Sequence, residues 1–189
     1  MKLNLLLIVF ALLFTSTILY SQPKEITILY TNDIESVYEP VEAFWNPDIE
    51  LIGGIPYLAT LIKAVEAEEK LSFLFDAGDI YTGALAQATE GKLAFDIYSH
   101  IGYDAVNIGN HEFEYGWETL NRVMQRKRFP FLNANIFYEG TDINFSQPYT
   151  ILEKDNFRIG VIGIMGVDAF INTMNTQHRA GLEIRDPIP

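Results

Sequence analysis

The chain has 189 residues and a formal net charge of −12 at pH 7, from 13 Lys and Arg against 25 Asp and Glu. Because 49% of the residues are hydrophobic and 20% are charged, the composition suits one ordinary folded domain and excludes wholesale disorder. The acidic excess repels phosphate backbones, so we expect no nucleic acid as a partner, whereas bound divalent cations would still permit a small anionic substrate. The chain has no cysteine, which excludes disulfides, thiolate nucleophiles and cysteine-ligated zinc.

The first 21 residues are typical of a secretory signal peptide. Lys2 precedes an apolar run from Leu5 to Phe14, which small and polar residues follow. A positive start, about ten apolar residues and small residues after them mark a cleaved export signal. The alternative is a membrane anchor, because the apolar stretch extended to Tyr20 is only slightly short of the roughly 17 residues that a span needs. We expect cleavage near Thr17 or Ser21, a periplasmic or secreted mature protein, and no stable membrane span after cleavage.

From residue 25 onward, short apolar runs alternate with amphipathic stretches. The runs predict strands at residues 26–30, 72–75, 104–108, 131–135 and 157–165. The amphipathic stretches predict helices that begin at Ile55, Glu90 and Trp117, with Gly102 as the C-cap of the second. Strand, helix and strand in repeated order predict a layered α/β domain. Nothing in the sequence after Arg185 predicts a closing element, so we expect the domain to be incomplete at its C-terminus.

Polar side chains follow three successive predicted strands. Asp33 and Glu35 come after the first, Asp79 after the second, and Asn110 with His111 after the third. Ligands of open α/β sheets bind beyond the carboxyl ends of the strands, so these side chains should lie on one side of the sheet. Oxygen-rich ligands with one or two nitrogens suit Mg, Mn or Zn, and Asp79 in the middle junction is the natural bridge between two cations.

Each candidate also has an ordinary structural interpretation. Asp33 fits a loop cap, Asp76 a turn or helix cap, and Asn110 a corner in a hydrogen-bonded loop. His100, late in a predicted helix, fits a capping or surface position, and His178 fits either a polar loop or a contact with substrate. The constellation is a stronger indication than its members, because independent accidents should not fall at three successive strand ends.

Five segments in the same order resemble one known family. They are ITILYTND at 26–33, the Gly53-Gly54 pair with its helix, FDAGD at 75–79, GYDAV at 102–106 and GNHEF at 109–113. Together they resemble the 5'-nucleotidase branch of the calcineurin-like metallophosphoesterases, over about residues 25 to 187. The Gly-Asn-His-Glu run with the upstream Gly-Asp is the specific part of the resemblance.

The resemblance implies a β-sandwich flanked by helices and a two-metal site that hydrolyses phosphate esters. By position, Asp33, Asp79 and Asn110 would be metal ligands, with Asp79 bridging the two ions. His111 would contact the phosphoryl group near the leaving oxygen. The implied cofactors are two divalent ions (Mn, Mg or Zn), and the implied substrate is a small phosphate ester such as a nucleotide.

Two residues depart from the family pattern. Glu35 stands where the family has His, which either gives an oxygen ligand that favours oxygen-preferring ions or removes that ligand. Glu114 stands where the family has the Asp that supports the histidine, and it retains the negative charge that would orient His111.

A third departure is an absence. The family's later Gly-His-x-His-type run does not occur before Pro189, and Asp33, Glu35, Asp79 and Asn110 cannot enclose two cations alone. Residues 25–189 are therefore interpreted as the N-terminal part of a metallophosphoesterase domain, inactive by itself. The alternative is a noncatalytic binding protein, a degenerate member of the same fold.

Overall fold

The computed structural model describes residues 24–188. The expected signal peptide lies outside this range, so export remains a prediction from the sequence. Within the range, no helix combines the length and the apolar character needed to cross a membrane.

The described residues form ten strands and four α-helices. The strands are β1 Thr27–Thr31, β2 Val41–Glu42, β3 Leu51–Ile52, β4 Ser72–Asp76, β5 Ala105–Asn107, β6 Phe131–Leu132, β7 Ile136–Tyr138, β8 Tyr149–Lys154, β9 Phe157–Ile162 and β10 Leu182–Ile184. The helices are α1 Ile55–Glu68, α2 Gly83–Thr89, α3 Lys92–Ile101 and α4 Trp117–Met124, with a 3-10 turn at His111–Phe113 and a π-helical turn at Ala169–Thr173.

Four of the strands form a parallel sheet in the order β1-β4-β5-β6. The β1–β4 register runs from Thr27 opposite Ser72 to Thr31 opposite Asp76, so the two strands end together. Helices connect successive strands of this sheet, as a parallel arrangement requires. All four carboxyl ends therefore meet at one edge, which confirms the predicted α/β class and places the following loops side by side.

The two faces of the sheet pack against different layers. Leu74 lies in the buried core with residues of the helices, whereas its neighbour Phe73 points to the other face, where its ring lies 6.4 Å from that of Phe157 in β9. The β8–β9 hairpin is fastened there by Lys154, whose Nζ lies 2.7 Å from Oδ2 of Asp104. Helices, sheet and hairpin thus form successive layers.

Three predicted elements differ in extent. The helix expected to begin at Glu90 is preceded by a separate helix, α2, because the backbone turns left-handed at Glu90 and Gly91. The strands expected at 131–135 and 157–165 end at Leu132 and Ile162. The first ends early because Oδ1 of Asn133 accepts the N–H groups of Asn135 and Ile136, and such local bonds compete with strand pairing.

Candidate active site

The loop after β1 runs alongside the loop after β4. The backbone N–H of Asp33 donates to the carbonyl of Gly78 at 3.0 Å, and that of Glu35 donates to the carbonyl of Asp79 at 3.1 Å. These bonds continue the β1–β4 pairing beyond the end of the sheet. The structure therefore brings the loops that carry Asp33, Glu35 and Asp79 together, as the strand order predicted.

The same three acidic residues share an unusual backbone conformation. Asp33, Glu35 and Asp79 have φ angles of 51°, 45° and 58°, in the left-handed region that side chains with a Cβ avoid. Such conformations cost roughly 1–3 kcal/mol each and concentrate at functional sites. Their clustering at one edge of the sheet favours a site here.

The third loop, after β5, joins this group through Asp79. Oδ1 of Asp79 accepts the backbone N–H of His111 at 2.9 Å. Asn110 directly precedes the 3-10 turn at His111–Phe113, and both Asn110 and His111 line an open cleft. The predicted site residues of the second and third loops are therefore neighbours.

His111 is held by an acidic partner. Its Nδ1 lies 2.6 Å from Oε1 of Glu114, and the hydroxyl of Thr82 donates to the same oxygen at 2.9 Å. Partial burial lowers the pKa of His111, but the Glu114 hydrogen bond and the charges of Asp79 and Glu35 outweigh it and raise the pKa above its ordinary value. The contact leaves Nε2 as the ring nitrogen that can meet another group, and it favours the cationic imidazolium.

The cleft beside His111 has a volume of about 490 Å³. It lies between the start of α2, the 110–115 segment and the loop after the π-helical turn, and its polar walls include Gln87, Asn175 and His178. From the sequence, His178 fitted either a polar loop or a contact with substrate, and the structure places it in this cleft. Gln87 and Asn175 were not singled out, since a lone polar residue in a loop or helix carries no sequence signal. His100 is exposed in the last turn of α3 and does not line the cleft.

Two buried carboxylates lie behind the loops. Asp76 is 2% exposed, accepts the N–H of Gly78 at 2.8 Å and the hydroxyl of Tyr98 at 2.8 Å, and burial raises its pKa to about 6. The turn interpretation of Asp76 therefore fits its contact with Gly78. Glu112 is fully buried, and desolvation raises its pKa, whereas the backbone N–H groups of Ile80, Asp79 and Gly109 oppose that rise by favouring its charged form.

The candidate metal ligands have the right chemistry for a hard cation but do not converge on one point. Asp33, Glu35, Asp79 and Asn110 supply oxygen atoms, the type of ligand that Mg and Mn prefer. Within residues 24–188, however, no three side chains of His, Asp or Glu converge as a metal-binding group. These residues therefore do not form a complete metal site by themselves.

Comparison with known proteins relates the chain to phosphoesterases, although no protein-family model matches it. It is 33% identical to the 5'-nucleotidase of Vibrio cholerae over 168 residues, which are 86% of this chain and 29% of that protein. A 5'-nucleotidase precursor from Thermus thermophilus superposes with a TM-score of 0.74 at 27% identity, over 86% of this chain and 32% of that one. The calcineurin-like phosphoesterase YfkN of Bacillus subtilis gives a TM-score of 0.69 at 25% identity, over 86% and 55%.

The chain spans about a third or less of the length of the two nucleotidases. The likeness covers most of this chain and includes the sheet and the loops described above. In sequence and in fold, the chain is thus related, over the N-terminal part of the catalytic domain, to the 5'-nucleotidase branch of the calcineurin-like metallophosphoesterases, as its motifs predicted.

Proposed function

We propose that this chain is the N-terminal part of a phosphoric ester hydrolase that acts on a nucleotide. The observation that carries the proposal is the contact between Asp79 and the backbone of His111, with the His111–Glu114 pair in the wall of the cleft. A cationic imidazolium here lies beside carboxylate and amide oxygens that can ligate metal ions. Phosphoryl transfer depends on positioning the phosphate group and on stabilising its negative charge, so this arrangement suits that reaction. The relatives named 5'-nucleotidase support a nucleotide as the substrate.

In this proposal His111 stabilises negative charge on the substrate. Its Nε2–H donates to a phosphoryl oxygen near the leaving group, while Glu114 holds Nδ1 and keeps the ring protonated and oriented. Thr82 fixes the Glu114 carboxylate in turn. Because the ring is fixed before substrate arrives, little reorganisation is needed during the reaction.

We also propose that the intact protein binds two divalent cations, Mn, Mg or Zn. Asp33, Glu35, Asp79 and Asn110 would belong to their ligand set, and other ligands would be needed to complete it. Residues 1–21 are proposed as an export signal and residues 25–189 as part of the catalytic domain, so that the protein acts in the periplasm or outside the cell.

The test is phosphate release by the native gene product. We expect it to release phosphate from AMP when Mn, Mg or Zn is added, and Asp79→Ala to lower the rate by at least about 100-fold. Glu118→Gln, at an exposed position on α4, is the matched control and should keep the wild-type rate. The 189-residue chain alone should release none, because its ligand set is incomplete.

Two outcomes would contradict the proposal. Absence of phosphate release by the native gene product with each of the three metals would favour the noncatalytic alternative. Release that survives Asp79→Ala would place the reaction elsewhere in the protein.

A further inference from the structure

Glu112 is a fully buried acid behind the loops that carry Asp79 and His111. Its side chain is 0% exposed, and its carboxylate accepts three backbone N–H groups. Asp79 donates at 3.0 Å, Ile80 at 2.7 Å and Gly109 at 2.6 Å. A buried carboxylate is costly unless hydrogen bonds compensate for the lost water, and these three bonds provide that compensation.

The three donors belong to two different loops. Asp79 and Ile80 follow β4, whereas Gly109 follows β5, so a single carboxylate bridges the two loops. The backbone of Glu112 is itself fixed, because its carbonyl accepts the hydroxyl of Tyr81. The bridge is therefore anchored at both its side chain and its main chain.

We propose that Glu112 is a positioning residue that fixes Asp79 relative to the Asn110-His111 pair. The expected change in kcat rests on the proposed function, whereas the expected change in amide exchange rests on the geometry alone. Glu112 binds the N–H of Asp79, and Oδ1 of Asp79 binds the N–H of His111 at 2.9 Å. Glu112 thus restrains His111 in two ways. It follows His111 directly in the chain, and its carboxylate holds Asp79, which binds the N–H of His111.

The geometry requires a side chain that only accepts. Three N–H donors converge on two oxygen atoms, and a Gln side chain would direct its own NH₂ group at one of these donors. Asp keeps the charge but is one methylene shorter, so it cannot reach both loops. Glu112→Gln and Glu112→Asp should therefore both loosen the bridge between the two loops. Because Asp keeps the negative charge, loosening in both variants would show that charge alone is not sufficient and that side-chain length and acceptor geometry matter.

The structural test is amide hydrogen exchange of the native gene product, read residue by residue. In both variants we expect exchange at Asp79, Ile80 and Gly109 to become at least about tenfold faster, with unchanged exchange in the core of β4. The decisive amide is that of His111, whose N–H is bound by Asp79 and not by the Glu112 carboxylate. It should also exchange faster, whereas a residue that only satisfied its own three donors would leave it unchanged. Glu118→Gln is the control and should match the wild type.

The kinetic test uses the same variants with AMP. We expect kcat to fall at least about tenfold at a temperature well below the thermal midpoint of each variant, where all the protein is folded, whereas Glu118→Gln should keep the wild-type kcat. If the wild type releases no phosphate, the proposed function fails, and the exchange experiment still decides the role of Glu112. If the wild type is active, unchanged kcat in both variants would overturn the inference.

Two exchange results would also overturn it. One is unchanged exchange at His111 in variants that fold. The other is a uniform rise throughout the chain, which would indicate a global loss of stability. Should neither variant fold, the wild type decides. After correction for intrinsic exchange rates, the amides of Asp79, Ile80, Gly109 and His111 must then share one opening free energy, and different values would refute the bridge.

Discussion

Gly109 packs directly against the side chain of Asp79. A Cβ atom at position 109 would lie 2.4 Å from Oδ1 of Asp79 and 2.6 Å from its backbone nitrogen. Gly109 does not have a positive φ, so glycine is required here for space. The β4 and β5 loops therefore pack against each other with no room for a side chain at position 109, and this approach places His111 beside Asp79.

Gly109→Ala should therefore destabilise the protein by about 1–3 kcal/mol, the usual cost of overpacking a filled site. The matched control is Gly160→Ala in β9, where a new Cβ would have no atom within 4 Å and φ is ordinary. Urea unfolding of the two variants and the wild type measures the difference. Equal midpoints for the two alanine variants would show that the loops can separate without cost.

The β8–β9 hairpin should depend on one partly buried ion pair. Lys154 and Asp104 lie 2.7 Å apart, with side chains 38% and 15% exposed. A double-mutant cycle with Lys154→Met and Asp104→Asn should give a coupling energy of about 1 kcal/mol. The control pair in the same hairpin, Arg158 and Glu153, is 3.9 Å apart and 66% and 61% exposed, so its coupling should be near zero. Similar coupling for both pairs would argue against the anchoring role of Lys154.

Asp76 should make stability fall as the pH rises. Burial raises its pKa to about 6 in the folded protein from 3.8, with the charge of Asp33 adding to the rise and the Thr31, Gly78 and Tyr98 hydrogen bonds opposing it. Between these values the folded protein binds more protons than the unfolded chain, so the stabilisation present below about pH 4 is lost through about pH 6.

The measurement is the free energy of unfolding of wild type and Asp76→Asn from pH 4 to 7. The free energy of unfolding of the wild type minus that of Asp76→Asn should fall by about 3 kcal/mol as the pH rises across this range. Asp48→Asn, at an exposed acid in a surface loop, is the control for the substitution itself. A constant difference for Asp76→Asn would mean that Asp76 keeps its ordinary pKa.

Glu35 should influence the metal preference of the native gene product. Glu35→Gln removes a charge at nearly constant size, so activity should fall unless the metal concentration is raised. Glu35→His restores the nitrogen ligand of the family pattern and should shift the preference from Mg or Mn towards Zn or Co. Phosphate release is measured over a concentration series of each ion. Three superimposable profiles, with Asp79→Ala inactive, would exclude Glu35 from the site.

The proposed export signal predicts processing at the N-terminus. Protein isolated from its native host should begin between about residues 18 and 23, because small residues after the apolar run mark a cleavage site. N-terminal sequencing measures this directly. Soluble cytoplasmic protein that still carries Met1 would contradict export.

The α/β alternation and the placement of the polar loops at one edge of the sheet could be predicted from local patterns, whereas the roles of the site residues stay predictions. Apolar runs followed by Asp33, Asp79 and Asn110 predicted strands whose loops lie on one side of an open sheet, and the structure has that shared edge. Element limits were less accurate, since Asn133 ends β6 through bonds of its own side chain. The spacing of apolar residues along the chain does not show where a side chain will bind backbone N–H groups and so end a strand.

By itself, the sequence determined the α/β class and the relation to the 5'-nucleotidase branch, because both depend on residues near one another in the chain. Only the tertiary structure decided that Glu112 bridges two loops, since its donors at Asp79 and Ile80 lie 33 and 32 residues away. It also decided that His178 faces the same cleft as His111. The physical reason is that these contacts form only when separate loops pack at one sheet edge, and no pattern along the chain records which buried acid will meet which backbone donors.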